Sequence, residues 1–502
     1  MASGTETASL SRTPHKYLIL LAVGSAMFLG TVDGSIVNVA LPTLARELRA
    51  PFHLVQWTVL SFLMGVASLM LTMGRLGDMI GKKRVFMTGL VVFVTASALC
   101  GLAPGIYWLI AFRFLQSVGA AMTMSLGVAI VSETWPPSER ATALGIAAGM
   151  ISLGAAAGPT MGGLILHLLN WRWIFFVNLP VGLVSLSLSS AFVPALRPAR
   201  RPESFDFTGA LLAGLTMLGF VLAMTFTQTR GLFSTPVLVS GAASFLGVIV
   251  FIRWERHVPH PMLDLSLFRS AAFRLNLFTG FTTFVSIAGI ILMYPFYLEV
   301  VRGLSEQQVG IIMGVTPVML AVCGPISGVC ADRFGTRPVS LVGLVAILVG
   351  YLTLCRLTVS STPVAFVLLQ TPMALGMATF QSPNNASIMD AVPRQRLGVA
   401  NGMLGMTRTM GQLTGVSLLG TFFFCRLQAR AGHAVDVATA PPATVVQALH
   451  DQFYLAAALV ALGAVAAFWQ ASREWREEKT GKANPGAIIG AEALTSPAAN
   501  EL

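Results

Sequence analysis

Polar residues fall in short clusters along most of this chain. The intervals between them are apolar runs of about 20 residues, the length that crosses a ~30 Å hydrocarbon layer as a helix. Fourteen such runs begin near Tyr17, Val55, Val85, Tyr107, Ala141, Trp173, Gly209, Val237, Ala272, Gln308, Pro338, Val364, Ala400 and Asp451. They predict an all-α polytopic membrane protein. The first run is too long for the apolar region of a cleaved signal peptide and continues directly into a multi-span pattern. The longest pieces between or after runs, 426–450 and 473–502, are only of loop or tail length. The second of them, with "EKTGKANPGAIIGAEALTSPAANEL", reads as disordered.

Composition agrees with the pattern: 55% of the 502 residues are hydrophobic and 11% charged, and the mean hydropathy is +0.75. A soluble domain is excluded on these values. An even number of spans puts both termini on one side. With that side cytoplasmic, 22 of the 32 Lys and Arg residues lie inside, eight outside and two within spans, as the positive-inside bias requires. The net charge of +11 is therefore an orientation signal, spread over loops such as "GKKR" and "RPARRP", with no basic face for nucleic acid. All five cysteines lie in or beside spans, which excludes a disulfide framework and a paired metal site; they read as packing residues. The nearest approach to a phosphate loop, "LGDMIGKK", lacks both the first glycine and the magnesium-binding hydroxyl. ATP is not expected as the energy source, and no cofactor is expected.

The chain also repeats itself. "GRLGDMIGKKR" from Gly74 has a worn copy in "GVCADRFGTRP" from Gly328, 254 residues on. "ETWPPSERATALG" and "DAVPRQRLGVANG" align Pro137 with Pro393 and Arg140 with Arg396, 256 residues apart. The common offset predicts an N-terminal tail (1–16), a six-span bundle (17–194), a linker with two inserted spans (195–271), a second six-span bundle (272–471) and a tail (472–502), an arrangement common among secondary transporters. In the repeated loop, Gly74, Gly77 and Gly81 permit a tight reversal, while Lys82, Lys83 and Arg84 hold it at the cytoplasmic face. Asp78 offers a carboxylate latch, with Asp332 and Arg333 as its counterparts in the copy.

These motifs resemble those of the major facilitator superfamily. "GRLGDMIGKKR" is similar to its signature loop, "RFLQSVGAAM" to its fourth-span motif with Ser117 in place of the usual glycine, and "GAAAGPTMGG" to its fifth-span antiporter motif. "DGSIVNVALP" and "WRWIFFVNLPVG" resemble the fourteen-span drug/proton antiporter family, whose two extra spans match the inserted pair. The resemblance implies multidrug efflux in exchange for protons, and a role for Gly154, Gly158, Pro159, Gly162 and Gly163 in closing the cavity against ion leak.

Helix geometry bears independently on the buried polar residues. A carboxylate near mid-membrane costs roughly 3 kcal/mol even on lenient scales, so Asp33 must face protein or water. At 1.5 Å per residue Asp33 lies about 8 Å, and Arg113 about 9 Å, below the same outer edge of a ~30 Å core. The matched depth predicts that they face each other. They form either a permanent ion pair or a proton switch, in which Asp33 takes a proton when the cation moves away. Gly154, Gly158 and Gly162 recur every fourth position and flatten one face for close packing, while Pro159 permits a bend. Arg408 lies in the second bundle with no carboxylate at its depth; it either satisfies Asn384, Asn385 and helix carbonyls or meets an anionic substrate. Asn38, Gln56, Trp57 and Gln116 are further pocket candidates. Glu299, Glu133 and Asp390, at span ends, read as solvated or capping, and His167 as snorkelling.

The reading is a fourteen-span, monomeric transporter in an inner or plasma membrane, exporting lipophilic or cationic small molecules against protons. Asp33 is its coupling carboxylate, Arg113 its partner, and Asp78 with Asp332 its cytoplasmic latches. Its alternatives are an exporter or flippase of an amphiphilic lipid or anionic metabolite, a proton-linked importer, and a non-transporting sensor. No cluster of nucleophile and base supports an enzyme.

Overall fold

The computed structural model describes residues 16–136, 139–195, 206–258, 265–392, 397–437 and 439–479. Its elements are α1 (Lys16–Glu47), α2 (Phe52–Ile80), α3 (Lys82–Gly101), α4 (Ile106–Thr134), α5 (Arg140–Leu168), α6 (Trp173–Phe176), α7 (Asn178–Phe192), α8 (Phe207–Arg230) and α9 (Thr235–His257). After a short 3₁₀ turn, Leu265–Arg269, come α10 (Ala271–Phe296), a π-helical turn (Tyr297–Val301), α11 (Glu306–Phe334), α12 (Thr336–Leu354), α13 (Pro363–Asp390), α14 (Leu397–Ala431) and α15 (Pro442–Lys479). Among the described residues thirteen spans are long and apolar enough to cross a membrane, α6 with α7 counting as one. The fourteenth predicted span is α14, a 35-residue helix made more polar by Arg408 and Gln412.

Thirteen helical segments start within three residues of their predicted positions; α15 starts nine residues early, at Pro442. The predicted loop 426–450 therefore shrinks to 432–441, because α14 runs on to Ala431 and Pro442 opens α15 at a position where its missing N–H is no loss. The predicted tail is also later than expected, since α15 continues to Lys479. Residues 1–15 and 480–502, the "RPARRP" loop, Pro137 and Pro393 lie outside the described residues.

The sixth span breaks at Val177, where α6 ends and α7 begins. Pro180 accounts for the break: its ring lacks an N–H and clashes with the carbonyl four residues back, on Phe176. The break puts Asn178 at the first position of α7 and turns it into the bundle, fully buried.

In the first half α1 packs on α5 and α7, α3 on α4 and α7, and α2 on α4. In the second, α10 packs on α14 and α15, α12 on α13 and α15, and α11 on α13. The halves meet along α5–α11 and α2–α14, and the inserted α8 lies against α9, α2 and α14.

The repeated loop is tighter than expected. Gly74 and Gly77 are inside α2, and the reversal is made by Gly81 alone, at φ 104°. Gly335, 254 residues on, makes the same turn between α11 and α12 at φ 91°. Both positions need the left-handed backbone that glycine adopts without a Cβ penalty.

Candidate functional site

The site begins with Asp33, which the structure places in α1 with no solvent exposure. Its Oδ2 accepts from Arg113 Nη1 of α4 at 2.5 Å. Its Oδ1 accepts from Gln116 Nε2 of α4 at 2.9 Å and from Asn178 Nδ2 of α7 at 2.7 Å. Three helices thus converge on one carboxylate. Arg113 is held in turn by Thr58 O (3.0 Å) and Gln116 Oε1 (2.6 Å) and lies 4.2 Å from the centroid of the Phe62 ring. Ser97 accepts from Gln116 at 2.7 Å and closes the network behind it. A buried ion pair is tolerable only when its remaining hydrogen-bonding capacity is met, and these neighbours meet most of it. The exception is Asn178 Oδ1, which is buried without a partner.

Asp33 and Arg113 therefore meet as their matched depths predict. Gln116 belongs to this network instead of lining a separate pocket. Asn178, Ser97 and Thr58 were not singled out in the sequence, although Asn178 sits within "WRWIFFVNLPVG".

The stripe of small residues has two faces. A Cβ added to Gly154 would lie 2.7 Å from Phe28 O, and one on Gly162 would lie 2.8 Å from Ile36 Cγ1, so this face carries α5 against α1. Gly158 meets Ser35 and Val32 of the same helix. The opposite face crosses to the other half. Gly163 lies on Glu306 and Gly310 of α11, and a Cβ on Gly310 would lie 2.5 Å from Pro159 O.

At the same end Arg46 closes the seam. Its guanidinium pairs with Glu299 Oε1 at 2.9 Å, on the π-helical turn, and with Glu306 Oε1 at 3.2 Å, at the head of α11. This corrects the expectation that Glu299 is solvated or capping: its side chain is 10% exposed, and its Oε2 is buried without a partner. Phe52, stacked on Phe424 and edge-on to Phe296, adds an apolar plug. The end nearest Lys16 differs. Asp332 and Arg333 are exposed, Asp332 makes no ion pair with a described residue, and Arg333 lies over its neighbour Phe334. Arg84 is exposed, Glu133 pairs with Lys82 within the first half, and the Asp78 side chain lies outside the described residues.

Three pocket candidates are engaged elsewhere than expected. Gln56 donates to Val416 O of α14 and accepts from Gln228 of α8 at 3.0 Å, while Trp57 donates to Thr225 of α8 at 3.0 Å. Asn384 accepts from Thr279 at 3.3 Å. No hydrogen bond joins it or Asn385 to Arg408, so the predicted amide partners of that arginine are not its partners here. Arg408 instead lies 5.2 Å from the centroid of the Phe284 ring, half-buried and without an ion pair among the described residues. Asn38 is half-buried on α1.

A helical membrane protein of two packed halves, with a buried charge network in the first, is the architecture of a transporter. The chain belongs to the Major Facilitator Superfamily, whose model matches residues 23–415 and again 276–498. It is 29% identical over 409 residues to the riboflavin transporter RibZ of Clostridioides difficile (strain 630), covering 82% of this chain and 88% of that one. It is 32% identical over 413 residues to the multidrug resistance protein Stp of Mycobacterium tuberculosis (strain ATCC 25618 / H37Rv), covering 82% and 76%. Its fold matches an inward-facing, unoccupied bacterial homologue of the human lysosomal transporter Spinster, with a TM-score of 0.65 and 18% identity over 91% of this chain and 97% of that one. Proteins of this family are transporters and not enzymes.

Proposed function

We propose that the chain is a proton-coupled antiporter that exports hydrophobic or cationic small molecules by alternating access, driven by the proton gradient across an inner or plasma membrane. Its termini are cytoplasmic, so the end sealed by Arg46 faces outward and the conformation faces inward. The observation that carries the reading is the Asp33 carboxylate, fully buried and held by Arg113, Gln116 and Asn178 from two other helices. Similarity to a multidrug resistance protein favours export of drug-like compounds.

In this mechanism Asp33 returns to the inward-facing state carrying a proton, which leaves to the cytoplasm as the cation binds, so that the carboxylate is then ionised and paired with Arg113. A lipophilic cation entering from the inside draws on the same negative potential. Reorientation opens the outer end and parts Arg46 from Glu299 and Glu306. An external proton then neutralises Asp33 as the cation leaves, and Arg113 keeps its hydrogen bonds to Thr58 and Gln116 while the charge pair is lost. Binding of tetraphenylphosphonium to the purified protein in weakly buffered solution is expected to release protons, and less so from Asp33→Asn. Stoichiometric binding with no proton release from wild type would count against the reading.

The Arg46 bridge is a second point of test. Arg46 is 60% exposed, so its pairs together are worth on the order of 1 kcal/mol. Arg46→Ala is expected to shift the closed-to-open ratio at this end severalfold. Distances between spin labels at Glu47 and Gln307 measure this, and an unchanged distribution would remove the bridge from the gating account.

A second reading, export of an amphiphilic anion, is favoured by one observation: Arg408 has no anionic partner among the described residues. Under it, Arg408→Gln is expected to weaken binding of an alkyl sulfate by tenfold or more and to leave cation binding unchanged. Equal anion binding by both proteins argues against it.

A further inference from the structure

A cavity of about 780 Å³ lies between the inserted helix α8 and α14, away from Asp33. Its walls are matching helical stripes, with Met224, Thr227 and Gln228 on one side and Leu418, Thr421 and Cys425 on the other. Residues three and four apart share a helix face, so both helices turn one face into the space. Its size falls in the range of small-molecule sites.

The buried polar groups at the centre of its wall form one chain. Thr421 Oγ1 donates to Met224 O at 3.1 Å, and Gln228 Nε2 donates to Thr421 Oγ1 at 2.8 Å and to Gln56 Oε1 at 3.0 Å. Gln228 Oε1 is left without a partner, on a residue only 4% exposed. A buried acceptor without a donor is costly, and a ligand that donates to it removes that cost. Among the described residues no Asp, Glu, Lys or Arg lines the cavity, and its one histidine, His433, is exposed at the rim, so the buried part of the wall carries no charge to match a charged ligand.

We infer that this cavity binds an uncharged amphiphile, with its hydrogen-bond donor on Gln228 Oε1 and its apolar body along Met224 and Leu418. The site stands whether or not Asp33 carries a proton. It gives α8, the first of the inserted pair of spans, a role of its own, as one wall of a binding site. It also lies next to the seam between the halves, because Gln228 continues through Gln56 to Val416 O. A membrane lipid and a transported neutral compound share the required chemistry.

Cys425 lines the cavity and reports its occupancy. The full-length wild-type protein in nanodiscs is labelled with N-ethylmaleimide, and the rate is read by mass spectrometry on the Cys425 peptide. Three probes are compared: 1-decanoylglycerol, 4-octylphenol and the donor-free cation tetraphenylphosphonium. The inference expects at least fivefold slowing by one or both donors and none by the cation. Slowing by the glyceride alone identifies a lipid site, and slowing by the phenol alone a site for aromatic cargo. Gln228→Met is expected to raise the protecting concentration at least tenfold. Leu418→Trp, which narrows the apolar end without touching Gln228, is expected to do the same and serves if the first variant does not fold. No protection by either donor, equal protection by the cation, or undiminished protection in both variants overturns the inference.

Discussion

Asp33→Asn is expected to reduce gradient-driven substrate accumulation to the level of empty liposomes while the protein still inserts and folds. The asparagine keeps the shape of the side chain and can still accept from Gln116 or Asn178, but it cannot ionise. It also leaves Arg113, 1% exposed, without its counter-charge. Removing one member of a buried pair costs about 3–5 kcal/mol, and the surviving hydrogen bonds from Thr58 and Gln116 place this variant toward the lower end. Thermal unfolding in detergent checks the second effect, and a flux assay with ethidium under an imposed pH gradient checks the first. Accumulation equal to wild type would assign Asp33 a purely structural place.

Gly310→Val is expected to hold the molecule open at the Arg46 end. An added Cβ meets Pro159 O at 2.5 Å and Gly163 Cα at 2.9 Å, and both obstacles are backbone atoms that no rotamer change moves aside. Valine does not strain α11 itself, since Gly310 is an ordinary helical position. The consequence falls on the seam between α5 and α11. Spin-label distances between Glu47 and Gln307 are expected to stay in the longer population, and turnover is expected to fall at least tenfold. A normal closed population would show that the seam yields more easily than its backbone contacts imply.

The spans were legible in the sequence because a bilayer demands about 20 apolar residues per crossing. The late placement of α15 shows the limit of that signal. His450, Asp451 and Gln452 interrupt the apolar run, yet they lie inside the helix, where Gln452 is fully buried and donates to Gly289 O and Leu419 O. Depth along a helix was also readable, which is why Asp33 and Arg113 meet as expected. Azimuth was not. Gln56 and Trp57, near the start of α2, turn toward α8 and α14, and only the packing of those helices decides the direction. Glu299 was misread for a related reason. Its partner Arg46 is 253 residues away, and a carboxylate at a span end looks solvated until the other half covers it. Asn178 was within reach, because Pro180 two residues on marks the break that turns it inward.

The central claim is that protons move because Asp33 gives and takes one. Its most direct test uses wild type and Asp33→Asn in liposomes loaded with a pH-sensitive dye, with tetraphenylphosphonium and ethidium added under an imposed proton gradient. The account predicts that cations drive proton movement through wild type and none through the variant. Cation flux through wild type without proton movement, or equal proton movement through both proteins, would contradict it.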